Sequence, residues 1–396
     1  MILVAAGMFI AYIVTFVLMP FIIRIARINK LYDIPDERKT HTYSISSLGG
    51  VGIIAGLSIS LLLVTDFTAG DSVFQYYLAA IFIIFMLGVI DDLFVLHPLK
   101  KILGQLLVAF ILTTKAHLLI TNLEGLAGIY EISTTVGYIL TFFTIILVIN
   151  SFNLIDGVDG LAASVGLLSC LAFGLFFYIN GDVPYAILSF TMGGSLLAFL
   201  VFNFAPARIF MGDSGSMLLG LVNAILLIRF IETDNPSAQL PVYSSITLGF
   251  GILLIPLLDV LRVFVIRLTK GKSPFTPDRN HIHHLLLNKG LTHTKVTLTL
   301  IVLTIFFITL SYFINPININ LVAGLLILSF FIIVFGIKYL ARSKQLHVVD
   351  DEENLTVSIQ NTKVLTLYGT ENISVNEREK AAPVAVNINQ PKKKID

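Results

Sequence analysis

The chain has 396 residues, 26 basic and 25 acidic, so 13% carry a formal charge while 56% are hydrophobic. A soluble globular chain is about one-quarter charged, so this composition excludes an ordinary soluble protein and points to the membrane. The net charge of +1 gives nucleic acid no electrostatic footing. The single cysteine, Cys170, lies in an apolar run, which excludes an internal disulfide and a cysteine-based metal cluster.

Charge is unevenly placed. From Ala341 onward there are 8 basic and 8 acidic residues, leaving 35 charges in the first 340 positions. The expected division is a transmembrane catalytic domain over 1–340 and a polar, flexible cytoplasmic tail over 341–396, with short strands an option over 356–375. No internal repeat is visible.

Runs of about 20 apolar residues are long enough to cross the hydrocarbon core as helices. They fall near 2–23, 48–65, 74–90, 102–120, 132–149, 161–180, 184–202, 214–231, 243–261, 297–315 and 318–339. The first run has no basic leader and is followed by Arg24, Arg27 and Lys30, so it reads as a retained helix rather than a signal peptide. The fold class is therefore an all-α polytopic membrane protein with about 11 transmembrane helices. Eleven crossings put the termini on opposite sides. One set of alternate connections, with the tail and Lys338, holds 24 of the 26 Lys and Arg, and the other holds Lys115 and Arg229 against seven acidic residues. The positive-inside rule then places the N-terminus outside and the C-terminus in the cytoplasm.

Carboxylates close to a membrane are expensive and mark function, and here they gather on the predicted cytoplasmic side. Asp91-Asp92 closes the third run, where a helix C-terminus is electrostatically wrong for two anions. A divalent cation or Lys100 and Lys101 would offset them, and a solvated interfacial turn is the plainer reading. Asn153, Asp156 and Asp159 follow the fifth run at spacings of three, one helical face if that helix continues. Gly157 and Gly160 interrupt it, and the plainer alternative is a polar connector capping the sixth run. Asn203 and Phe210-Met-Gly-Asp213-Ser-Gly precede the eighth run. There Asp213 or Ser214 could cap the helix, or Asp213 could bind a cation held by a phosphate. The loop Ser273-Pro-Phe-Thr-Pro-Asp-Arg279-Asn-His281-Ile-His283-His284 has no further Cys or His nearby to complete a zinc site. Phosphate recognition suits it better, with a surface histidine cluster as the alternative.

Carboxylates for divalent cations, cationic groups for phosphate oxygens and a position at the lipid boundary fit phosphoryl or phosphosugar transfer between a nucleotide and a lipid. No P-loop pattern is present. The rival class, a polytopic transporter, would hold its polar groups near the bilayer midplane in pseudo-symmetric halves.

Gly49-Gly50, Asp91-Asp92, Lys101-Ile-Leu-Gly-Gln105, the run from Asn153 to Ala162, Asn203 to Gly215 and the His281 loop occur in an order that resembles the polyprenyl-phosphate N-acetylhexosamine-1-phosphate transferases. The histidine loop is most similar to the UDP-N-acetylglucosamine branch. Ser46-Ser47-Leu48 departs from the proline often found before the glycine pair, and the tail lies outside the resemblance.

What the resemblance implies is transfer of N-acetylglucosamine-1-phosphate from UDP-N-acetylglucosamine to undecaprenyl phosphate with release of UMP, starting a lipid-linked envelope glycan. The alternative is the same reaction with another UDP-amino sugar. The resemblance implies Mg²⁺ as cofactor, with Mn²⁺ as a substitute. Asp213 becomes the main metal ligand with Asn153 beside it, and Asp91, Asp92 and Asp156 the catalytic carboxylates. Lys101 would serve the lipid phosphate, and Asn153, Asp159, Asn203 and Phe210 the nucleotide. Arg279, His281, His283 and His284 would hold the donor phosphate or sugar. The expected setting is a bacterial inner (plasma) membrane, with a homodimer left open.

Overall fold

The structure is a computed structural model describing residues 2–29, 31, 45–65, 73–233, 242–271, 273 and 280–340, with 346–351, 354–359 and 363–367 of the tail. The chain divides into two compact units, 1–340 and 341–396. The first is a multi-pass helical membrane domain. Its helices are α1 (Ile2–Ile28), α2 (Gly49–Val64), α3 (Val73–Phe94), α4 (Pro98–Thr114), α5 (Thr134–Ile155), α6 (Leu161–Ile179), α7 (Val183–Asn203) and α8 (Gly212–Ile231). There follow α9 (Ser245–Ile252), α10 (Leu254–Thr269), α11 (Ile282–Asn288), α12 (His293–Ile314) and α13 (Ile319–Phe335), the last running into a π-helical turn over Gly336–Leu340.

Local chemistry explains several of these boundaries. Ser133, Thr292 and Asn318 each accept a backbone N–H from the first turn of α5, α12 and α13. Pro98 occupies the start of α4, where its missing N–H costs nothing.

Among the described residues, eight helices are long and apolar enough to cross a membrane, or nine if α9 and α10 form one broken span. α2 has 16 residues and α4 has 17. At about 1.5 Å per residue each reaches about 24–26 Å, short of a hydrocarbon core of about 30 Å. Two departures from the sequence reading stand out. The span expected over 243–261 is two helices bent by 79°. Pro256 explains the break: it has no N–H for the carbonyl four residues back, and its ring crowds that carbonyl, at Ile252 beside the bend. The run expected over 102–120 ends at Thr114, and the chain then forms an antiparallel hairpin of β1 (Asn122–Leu126) and β2 (Ile129–Glu131). The domain is thus helical with one small hairpin.

α8 is the central helix, 89% buried over its apolar window. It packs against α2, α3, α5, α6, α7 and α9. Gly50 shows how tight this packing is: a Cβ there would lie 2.4 Å from the backbone nitrogen of Gly215, so only glycine lets α2 approach the start of α8. In the second unit, β3 (Leu346–Asp351), β4 (Asn354–Ile359) and β5 (Lys363–Leu367) pair antiparallel in that order.

Candidate active site

The end of α3, the start of α4, the end of α5 and the start of α8 meet. Lys101 is the cation at their junction: its Nζ pairs with Asp91 Oδ2, and donates to Asp213 Oδ2 at 2.7 Å. Asn153 Nδ2 donates to Asp213 Oδ1 at 2.9 Å and to Ser216 Oγ at 3.0 Å. Asp91 also accepts the backbone N–H of Leu96 at 2.6 Å, which closes the turn after α3.

Asp92 faces the other way. Its two carboxylate oxygens accept the backbone N–H groups of Asp213 (2.7 Å) and Ser214 (3.0 Å). Two orphan donors of the α8 N-terminus are thereby satisfied by a residue distant in sequence, at the positive end of the helix dipole. α8 begins at Gly212, so Asp213 and Ser214 lie inside the first turn and receive the cap rather than supply it. The same turn is tied to the chain before α2: Phe210 N–H donates to Ser46 O, and Gly49 and Gly50 N–H donate to Phe210 O and Met211 O, all at 2.8–2.9 Å. Ser46 and the first two residues of α2 therefore hold the Phe210–Met211 segment through their backbones. The Phe210 side chain is half-buried.

Asn153, Asp156 and Asp159 do not share a helical face. α5 stops at Ile155, Asp156 is its C-cap, and Asp159 sits in the turn before α6. Burial and the charges of Asp213, Asp92 and Asp159 push the Asp156 carboxyl up to about 8. Asp159 and Asn203 act on the neighbouring loop. Asp159 accepts Ala207 N–H at 3.0 Å and faces His293 Nδ1 at 3.2 Å. Asn203 bridges, accepting from Gly160 N and donating to Ile209 O.

The histidines enter from α11. His283 stacks on His281, with centroids 5.7 Å apart and planes 7° apart, and its ring lies 4.3 Å from that of His284. His283 also packs on the Asp156–Gly160 turn: a Cβ on Gly157 would lie 2.7 Å from its Nε2. Burial and the neighbouring His284 push His283 down to about 3, so its ring is neutral at pH 7. Arg279 lies outside the described residues.

Sequence reasoning missed the group that holds this loop. Asp259 and Arg262 on α10 form a buried pair (2.6 Å), and Asp259 also meets His281 and the N–H of Ile282. An Asp and an Arg three apart at the end of an otherwise apolar run were the available signal. His293, at the start of α12, was missed as well.

Residues 74–231 match the family described as glycosyl transferase family 4. The chain is 34% identical over 288 residues to the decaprenyl-phosphate N-acetylglucosaminephosphotransferase of Mycobacterium leprae, covering 67% of this chain and 72% of that protein. It is 32% identical over 274 residues to the undecaprenyl-phosphate alpha-N-acetylglucosaminyl 1-phosphate transferase of Escherichia coli O157:H7, covering 68% and 72%. The protein of the same name from Yersinia pestis is 31% identical over 271 residues, covering 66% and 71%. This chain belongs to glycosyl transferase family 4. The family match spans Asp91 to Asp213 and every site residue between them, whereas the histidine loop of this family-4 transferase lies beyond it.

Hard oxygen donors dominate around Asp213, with Asp91 across Lys101 and Asn153 beside it, and oxygen donors are what Mg²⁺ prefers. Among the described residues no three His, Cys, Asp or Glu side chains already have the arrangement of a metal site. The Lys101 ammonium takes the cationic place between Asp91 and Asp213.

Proposed function

We propose that this family-4 transferase moves N-acetylglucosamine-1-phosphate from UDP-N-acetylglucosamine to undecaprenyl phosphate and releases UMP, starting a lipid-linked envelope glycan. The observation that carries the reading is the meeting of Asp91, Lys101, Asn153 and Asp213 at one end of the bundle. The names of the relatives support a polyprenyl phosphate acceptor and an N-acetylglucosamine phosphate product.

In the proposed reaction an oxygen of the lipid phosphate attacks the β-phosphorus of the donor. A new P–O bond forms, the bond from that phosphorus to the bridging oxygen breaks, and UMP leaves with the electron pair. A phosphate monoester has a second pKa near 6, so the nucleophile is already largely ionised at neutral pH. Asp213, with Asn153 beside it and Asp91 opposite, would hold Mg²⁺, or Mn²⁺ as a substitute. When bound, that ion supplies charge neutralisation to the pyrophosphate oxygens. Lys101 is the flexible partner: turned from its carboxylates, it donates to lipid phosphate while they take the metal. Asp92 keeps the first turn of α8 in place. Asp156 and Asp159 border the nucleotide end with Asn203 and Phe210, and Arg279, His281, His283 and His284 serve the donor phosphate or sugar.

If α2, α4 and the bent pair α9–α10 each count as a crossing, there are eleven spans, with the N-terminus outside, the C-terminus in the cytoplasm and the site on the cytoplasmic face of a bacterial inner membrane. An apolar cavity of about 200 Å³ lies between α5, the hairpin and α9–α10, lined by residues that include Leu123, Leu140, Leu147, Leu227, Phe250 and Leu257. Its chemistry suits a stretch of polyprenyl chain. Purified protein given Mg²⁺, undecaprenyl phosphate and UDP-N-acetylglucosamine should release UMP and form lipid-linked sugar in equal amounts. Release only with a different UDP-amino sugar would overturn the donor assignment.

A further inference from the structure

Asp259, 2% exposed on α10, makes contacts that converge on the first residues of α11. Its carboxylate accepts the N–H of Ile282 at 3.1 Å to each oxygen, accepts from Arg262 at 2.6 Å and faces His281 Nδ1 at 3.0 Å. Arg262 also donates to the Asn280 carbonyl at 2.6 Å, so residues 280–282 are gripped from both sides. A carboxylate offers only acceptors. His281 Nδ1 therefore carries the hydrogen and donates it, which fixes both the tautomer and the ring plane. The other nitrogen, Nε2, is buried and has no hydrogen-bond partner among the described residues.

Burying an ion pair brings little or no net stability over apolar packing, so simple fastening does not explain Asp259. What an apolar residue could not do is dictate which imidazole nitrogen bears the proton. The stacked neighbour of His281, His283, touches the turn that carries Asp156. We propose that Asp259 is a positioning residue for the transfer reaction: it holds His281 with Nδ1 protonated, leaving Nε2 as the nitrogen offered to the phosphate or sugar of the donor. Asp259 itself touches no substrate. This inference rests on the transferase reading above.

A double-mutant cycle tests it. The full-length wild type, Asp259→Asn, His281→Ala and the double variant are purified, checked for thermal unfolding, and assayed for kcat and KM with UDP-N-acetylglucosamine. An amide can hydrogen-bond the wrong tautomer, so Asp259→Asn should lower kcat about 10²-fold, with KM changed less than about threefold. In the His281→Ala background the same substitution should cost no more than about twofold, because the group it positions is gone. Equal losses in both backgrounds, or an unimpaired Asp259→Asn protein, would overturn the proposal. If Asp259→Asn fails to fold, Asp259→Glu keeps the charge facing Arg262 and takes its place in the cycle, where a loss confined to the His281 background supports the proposal and equal losses overturn it. A wild type that releases no UMP from any UDP-amino sugar defeats the transferase reading itself. Active wild type with independent losses defeats only the role of Asp259.

Discussion

The two ends of the helical bundle handle charge in opposite ways. Where α8 ends, Asp182 pairs with Arg229 at 2.9 Å, and that guanidinium also sits 4.8 Å from the centre of the Tyr185 ring. Glu124 on the hairpin accepts from the Ser244 and Ser245 hydroxyls and from the N–H groups of Ser245 and Ile246. Asp182 and Glu124 thus each have partners enough. Where α8 begins, Asp91 and Asp213 share the ammonium of Lys101, Asp92 accepts the backbone N–H groups of Asp213 and Ser214, and Asp156 lies close enough to feel the charges of Asp213 and Asp92. A surplus of carboxylate is unfavourable for folding unless something cationic joins it. The pairing of Asp182 and Glu124 serves stability, whereas the clustered carboxylates where α8 begins suit the cationic ligand proposed above.

Substitutions at the two ends should therefore separate activity from stability. The largest effect is expected for Asp91→Asn, which should lower UMP release by about 10²- to 10³-fold with little change in thermal unfolding. A loss of folded protein in proportion to activity would assign Asp91 to the structural class. Next comes Asp92→Ala. Removing a cap costs about 1–2 kcal/mol, so this variant should unfold at lower temperature and also lose turnover as Asp213 shifts, whereas Asp92→Asn, still able to cap, should recover most of the stability. Asp156 should give a smaller, pH-dependent effect. Its folded pKa, pushed up to about 8, lies above the ordinary value of 3.8. The folded state therefore holds the proton more tightly, and without divalent cations stability should fall as pH rises from about 4 to 8. Asp156→Asn should flatten that part of the profile, and an unchanged slope would remove Asp156 as its source. The smallest effect is expected where α8 ends. Asp182→Asn should cost at most about 1 kcal/mol, as partly exposed ion pairs do, and leave turnover unchanged.

The convergence of the site could be read from the sequence because it follows from parity: alternate connections of a multi-pass chain share a side, and the Asp91, Asn153 and Asp213 clusters fell on the same one. Their division of labour could not be read. Asp91 and Asp92 look equivalent as neighbours, yet one turns to Lys101 and the other to the backbone of α8, a difference set by where α8 starts. The three-residue spacing of Asn153, Asp156 and Asp159 suggested a helical face, but Gly157 and Gly160 end the helix first. The run over 243–261 was apolar enough for one span, and Pro256 broke it. Asp259 was passed over because its partners, His281 and Ile282, lie more than twenty residues away and only tertiary packing joins them.

The proposal of a divalent-cation and phosphate site rests on the carboxylate cluster at the start of α8. Its most direct test is UMP release measured against Mg²⁺ concentration for the wild type, Asp213→Ala and Asp182→Asn. The expected result is saturable Mg²⁺ dependence in the wild type and Asp182→Asn, and no turnover at any Mg²⁺ concentration in a folded Asp213→Ala protein. Mg²⁺-dependent turnover retained by Asp213→Ala would contradict it.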